Sequence, residues 1–221
     1  MADHSSSFGQ EPKFLRWCER VEEAGAAIHK VEPLLLLSKP NGQLLFGVFD
    51  TDVRGPGSYH HMRYVMIRGD AVVVVPQVRC KQSGEEKFCM ISQPRIGNGA
   101  VNLEFPAGML DRDVSSPAEV AGRELFEETG LKVQTKELVA LFERPLHTSV
   151  GLQDEAIYFY GCRLELDDAE FRALEGRLAG SVEEQEQITV RLVSRQQALE
   201  GCRSCQVLLA LDLFDKAFAD A

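Results

Sequence analysis

Between residues 63 and 105 the apolar positions come in short runs divided by polar and turn-forming residues: RYVMI (63–67), AVVVV (71–75), KFCMIS (87–92) and VNLEF (101–105). Runs of this length, rich in β-branched residues, predict the strands of a well-buried sheet. The same reading predicts strands at ELVALFE (137–143), EAIYFYGCRLE (155–165) and ITVRLV (188–193), and helices at 117–129, 167–178, 194–200 and 204–218. Upstream, Phe14, Leu15, Cys18 and Val21 have helical spacing, so a helix is expected over 13–25, ended by Gly25 and preceded by a loose polar arm, 1–11. Two strands around Lys39-Pro40-Asn41-Gly42 (33–50) predict a hairpin. The chain thus divides into an N-terminal part of arm, helix and hairpin, 1–58, and a larger α/β domain, 59–221.

Composition narrows the functional classes. A length of 221 residues with 44% hydrophobic content is enough for a real core. With Lys+Arg 24 against Asp+Glu 34, the formal net charge of −10 argues against nucleic acid as a partner, and an anionic substrate would need a cation as intermediary. No apolar run approaches the roughly 20 residues that cross a bilayer, and the first residues lack a secretory leader, so the expectation is a cytoplasmic protein with no membrane partner. The six cysteines are scattered; Cys202 and Cys205 form a single CxxC without the further ligands zinc needs, and reduced thiols are expected.

The densest chemistry lies in EFPAGMLDRDVSSPAEVAGRELFEETGL, residues 104–131. Ser116 suits an N-cap, Pro117 the first helical position, Glu119 a capping box and Gly130 the C-terminal stop. On that helix Glu124, Glu127 and Glu128 fall on one face within about 100° of arc, opposite Ala118, Ala121, Leu125 and Thr129. Like charges at i,i+4 cost an isolated helix about 0.2–0.5 kcal/mol unless neutralised, and a hard divalent cation with oxygen ligands would do so. A plain solvated acidic face is the competing reading of the three glutamates alone.

These residues resemble the signature of the Nudix family: a Gly, five residues, a Glu, seven residues, then Arg-Glu, an apolar residue, any residue, Glu-Glu, any residue and Gly. RELFEETG, from Arg123 to Gly130, matches completely, and Gly108 after Phe105-Pro106-Ala107 supplies the start. Gly108 lies one residue further from Arg123 than the signature has it, which puts Ser115 where the first Glu belongs, with Asp111 or Asp113 as substitutes. The resemblance implies an α/β/α sandwich around a mixed β-sheet, preceded by a small antiparallel β-rich part. It implies that Glu124, Glu127, Glu128 and the carbonyl of Ala107 hold Mg²⁺ (or Mn²⁺), with Arg123 orienting the glutamates. The implied reaction is attack of an activated water on one phosphorus of a pyrophosphate, with the metal neutralising the oxygens.

From about residue 60 onward the chain looks most like the ADP-ribose and ADP-sugar diphosphatases. ISQPRIGNGAVNLEFPAGMLD (91–111) is similar to the segment that places an arginine on substrate phosphate, which implies that role for Arg95. EEQEQITVRLVSRQQALEG (183–201) is similar to the acidic loop that supplies a glutamate general base, implying Glu186, with Glu184 and Glu183 as alternates. Ser149-Val150-Gly151 followed by Asp154-Glu155 occupies the place of a substrate loop, which implies a substrate contact for Glu155; the Pro associated with ADP-ribose preference is absent, so an ADP-hexose is as acceptable. The resemblance also implies a homodimer. Phe46, Phe49 and Tyr59 are candidates to stack on the base, and His60-His61 to touch phosphate, against core and surface roles respectively. UDP-sugars, dinucleoside polyphosphates and a noncatalytic nucleotide-sugar-binding module are the alternatives.

Overall fold

The computed structural model describes residues 7–58, 60, 63–110, 116–180 and 187–219. Its elements in chain order are α1 (Pro12–Glu23), β1 (Ala27–Ser38), β2 (Leu44–Arg54), β3 (Tyr64–Ile67), β4 (Ala71–Cys80), β5 (Glu86–Arg95), β6 (Ala100–Glu104), β7 (Ala107–Met109), α2 (Pro117–Thr129), β8 (Val139–Ala140), β9 (Leu146–His147), β10 (Ala156–Leu166), α3 (Asp168–Leu174), β11 (Leu178–Ala179), β12 (Ile188–Val193), α4 (Arg195–Gly201) and α5 (Cys205–Ala217). They divide between two units. One takes Met1–Ala71, Met109–Arg112 and Leu146–Ile157; the other takes Val72–Gly108, Asp113–Pro145 and Tyr158–Ala221.

In the first unit, β1, β2 and β3 form an antiparallel sheet in that order. The hairpin turn closes through Gly42 N–H to Lys39 O (2.9 Å) and Lys39 N–H to Gln43 O (2.8 Å), with Gly42 at φ +83°, a conformation that favours glycine. Pro12 opens α1, where its missing N–H has no helical partner to lose. Phe14 and Trp17 of α1 pack with Phe49, Val53 and Ile67 of the sheet. The expected loose arm needs correction here: Ser7–Gln10 forms a 3-10 turn, and Phe8 is buried edge-on to Phe14 at 5.1 Å. Leu15, expected on the apolar face, is exposed, and Trp17 takes that place.

The second unit is built on a sheet of order β11-β12-β5-β4-β10-β8, with β6 on β5 and β7 on β4. Val72–Val75 of β4 are all buried, which explains four valines in succession where a half-exposed strand would alternate. α2 and α4 pack on β5 and β12, and α5 brings Phe214 to 5.3 Å from Phe88. The mixed α/β architecture read from the sequence is what the chain adopts.

Two elements differ from expectation. The strand at 137–143 shrinks to β8, because Glu137 belongs to a 3-10 turn whose side chain accepts the Gln134 N–H at 2.6 Å. The helix at 167–178 stops at Leu174; Gly176 turns at φ +78° and β11 pairs with β12. β7, β9 and β11 have two or three residues each, too few for an alternating pattern to announce them. Among the described residues no helix is long and apolar enough to cross a membrane.

Candidate active site

The site is organised by α2, whose ends are fixed as the sequence indicates. The Ser116 hydroxyl accepts the Glu119 N–H at 3.3 Å, Pro117 follows, and Gly130 closes the helix at φ +81° with its N–H on Phe126 O at 2.8 Å. Val120, Ala121, Leu125 and Thr129 are buried, so the helix is locked in rotation about its axis. That rotation decides which way the glutamates point. Glu127 is solvated at 57% side-chain exposure, whereas Glu128, expected on the solvated face, is 5% exposed and sits at the border of the core.

Glu128 is buried because the preceding loop comes to meet it. β7 lies beside β4, with Val74 N–H donating to Pro106 O at 2.9 Å, and this holds the next residue so that the Ala107 N–H donates to Glu128 Oε2 at 3.0 Å. A backbone amide stabilises the charged form of a buried carboxylate. Gly108 comes closer still: a Cβ there would lie 2.1 Å from Glu124 Cδ and 2.4 Å from Glu124 Oε1. A Cβ here would push the Glu124 carboxylate aside, so the glycine leaves that side chain its place, its φ being ordinary.

Arg123 completes the cluster. Its Nη2 donates to Glu124 Oε1 at 3.0 Å, and its Nε stands 3.9 Å from Glu127 Oε2. Hard oxygen donors on successive turns, backed by a loop carbonyl-bearing segment at Ala107–Gly108, are of the right chemistry for a divalent cation. Among the described residues no three acidic, His or Cys side chains converge as they stand, and Glu127, turned toward Arg123, is the solvated member. The donor types and the glycine cradle therefore fit a metal.

A family model for the NUDIX domain matches residues 68–204. The chain belongs to the Nudix family. It is 31% identical over 160 residues to "Nudix hydrolase 14, chloroplastic" of Arabidopsis thaliana, an alignment that takes in 69% of this chain and 51% of the relative. The chain therefore spans about half the length of that curated relative. A solved structure described as that of an ADP compounds hydrolase shares the fold at a TM-score of 0.58 and 19% identity, covering 88% of this chain and 94% of the other. Nudix hydrolases generally use divalent metals, in keeping with the acidic cluster on α2.

Beyond the Nudix signature residues, the sequence-derived candidates fall in several places. Arg95 ends β5 and donates from Nε and Nη2 to Glu104 Oε2 of β6 at 3.0 and 2.7 Å. Glu155 belongs to the first unit, where it is buried against Arg68 (3.1 Å) and the Thr148 hydroxyl (2.9 Å). Glu183, Glu184, Glu186, Asp111, Asp113, Ser115, Tyr59 and His61 lie outside the described residues. Phe49 is wholly buried among Phe8 and Phe14, a core role rather than a base platform. His60 is exposed, 3.5 Å from Asp52.

All six cysteines are free, and burial pushes the Cys89 and Cys162 thiols up to about 12, so both are inert core residues. Sequence reasoning passed over Arg68 and gave Asp154 no role apart from its place beside Glu155. Asp154 Oδ1 accepts the backbone N–H groups of Arg68 (2.8 Å) and Gly69 (3.2 Å), and such long-range pairing leaves no local signal.

Proposed function

We propose that this chain is a Mg²⁺- or Mn²⁺-dependent hydrolase of the pyrophosphate bond in a nucleoside diphosphate sugar, ADP-ribose or an ADP-hexose, giving a nucleoside monophosphate and a sugar phosphate. The observation that carries the reading is the cradle in which Gly108 yields its side-chain space to Glu124 while Ala107 N–H holds Glu128. A solvated helix face would need neither contact. The shared fold with an ADP compounds hydrolase supports ADP as the nucleotide part.

Glu124, Glu127, Glu128 and the Ala107 carbonyl would hold the cation, and Arg123 would keep the glutamates oriented. When bound, the divalent ion supplies neutralisation of the pyrophosphate oxygens and acidification of water. Arg95 would take a substrate phosphate, Glu155 would contact the substrate, and Glu186, or Glu184 or Glu183, would remove the proton from the attacking water. We also propose a homodimer in the cytoplasm: Leu34, Leu35, Leu36 and Leu37 lie on β1 at the edge of its sheet, and all four are exposed on a strand whose two faces both carry apolar side chains.

The test is phosphate release, coupled to a phosphatase, from ADP-ribose, ADP-glucose, UDP-glucose and diadenosine polyphosphates with Mg²⁺ and with EDTA. Turnover of an ADP-sugar that EDTA abolishes is expected. Preference for UDP-glucose or a dinucleotide would move the substrate, and silence with retained nucleotide-sugar binding would make the chain a noncatalytic binding module.

A further inference from the structure

We propose that Arg68 is a substrate-binding residue, a phosphate ligand held ready by Glu155 and Asp154; the assignment rests on the nucleotide-sugar reading above. Two arginines of the same unit pair with carboxylates at two points. Arg63 spends two donors on both oxygens of Asp50 at 2.5 Å each, and Arg54 grips both oxygens of Asp52 at 3.3 and 2.9 Å. Such two-point pairing uses up the planar fork of the guanidinium.

Arg68 is arranged otherwise. It meets Glu155 through a single nitrogen, Nη1 to Oε1 at 3.1 Å, and its Nη2 faces the Met109 thioether at 3.4 Å, a weak acceptor. The carboxylate beneath it is 6% exposed and the arginine side chain 41% exposed, so the charge is anchored from below and open above. Among the described residues its remaining N–H donors meet no protein acceptor. Met109 follows Gly108 in the chain.

Its support is unusually firm for an exposed side chain. The Arg68 and Gly69 N–H groups both end on Asp154 Oδ1, and Glu155 is held by the Thr148 hydroxyl at 2.9 Å. Arg20 of α1 donates to the Asp154 carbonyl at 3.3 Å and pairs with Asp70. Backbone, carboxylate partner and the segment carrying that partner are thus all fixed, which is the preorganisation that recognition of a dianionic group needs. A surface arginine serving only solubility would need none of it.

The competing explanation is that Arg68 merely neutralises buried Glu155. The double variant Arg68→Met with Glu155→Gln separates the two, since it removes the buried charge together with its partner. Arg68→Met alone is expected to lower the thermal midpoint, and the double variant to restore it. The Michaelis constant for the ADP-sugar is expected to be about ten-fold higher in the double variant than in Glu155→Gln alone, the loss of one charge-assisted hydrogen bond. A value within two-fold of Glu155→Gln alone would overturn the assignment.

Calorimetric binding of ADP in EDTA reads the same residue without turnover. Weaker binding by the double variant than by Glu155→Gln alone supports the role even if no ADP-sugar is hydrolysed, an outcome that would sink the catalytic reading alone. Equal binding by Glu155→Gln and the double variant, or no binding by the parent, overturns the role of Arg68 itself.

Discussion

Two pairs of acids in this chain have opposite meanings, the first with Glu128 buried and Glu124 half-buried, the second with Asp154 and Glu155 both buried. Glu124 and Glu128 on α2 are met by a glycine with no side chain, a backbone amide and one arginine, and lie on a helix whose rotation is fixed by its opposite face. Asp154 and Glu155 are no less buried, yet their oxygens meet two backbone amides, an arginine and a threonine hydroxyl. Burial of a carboxylate therefore does not mark a reactive centre. The proposed difference is one of role: the first pair, beside Gly108, would hold a ligand, whereas the second holds the backbone and guanidinium of Arg68 in place.

The largest expected break in this comparison is chemical. Glu127→Gln or Glu128→Gln should reduce turnover about 100-fold or more while the far-ultraviolet circular dichroism stays that of the parent. Turnover within a few-fold of the parent would remove the metal-site assignment. Glu186→Gln should cost nearly as much in turnover with little change in the Michaelis constant, on the order of 100-fold. An unchanged pH–rate profile would move the base to Glu184, Glu183 or Glu155.

Gly108→Ala is the finer probe. The added Cβ meets the flexible end of Glu124 rather than backbone, so the carboxylate is pushed aside and the fold is spared. The Mg²⁺ concentration for half-activation should rise roughly ten-fold with a thermal midpoint close to the parent's. Equal half-activation would mean that Glu124 does not need the glycine's space.

Much of α2 and its loop was legible in the sequence because the cues are local. Ser116, Pro117 and Gly130 mark the helix ends within one turn, and the RELFEETG spacing places three glutamates by geometry alone. The burial of Glu128 was not legible, since it depends on Ala107 arriving from β7. β4 could be read from its valines, but β8 could not be told from a longer strand, because Glu137 prefers a cap at Gln134 to a place in the sheet. The pairing of Arg68 with Asp154 was not legible for the same reason as most tertiary pairs: the partners are 86 residues apart, and an arginine beside a glycine is an ordinary loop composition.

A smaller effect tests how far the helix ends matter. Ser116→Ala removes the hydroxyl that accepts the Glu119 N–H, which costs about 1 kcal/mol, or roughly 2–4 °C in thermal midpoint for a chain of this size. No change would mean that Pro117 and the packed face of α2 hold its start unaided.

The smallest effect has a sign that separates scaffold from site. Burial pushes the Asp154 carboxyl above the usual carboxylate range, and the Arg68 and Gly69 amides only partly oppose it. With the folded value raised, the group favours the fold most when protonated, and that contribution is lost as the pH rises through the folded value. Asp154→Asn keeps an oxygen for both amides and carries no charge at any pH. The variant should therefore melt above the parent by about 2 °C at pH 7, and the gap should close as the pH falls toward 4. A gap of the same size at both pH values would show that packing of the new amide, not removal of a buried charge, is responsible. A variant less stable at both would show that the charge of Asp154 is itself needed, through Arg20, and the acids of the first unit would then have more in common with those of α2 than their hydrogen bonds suggest.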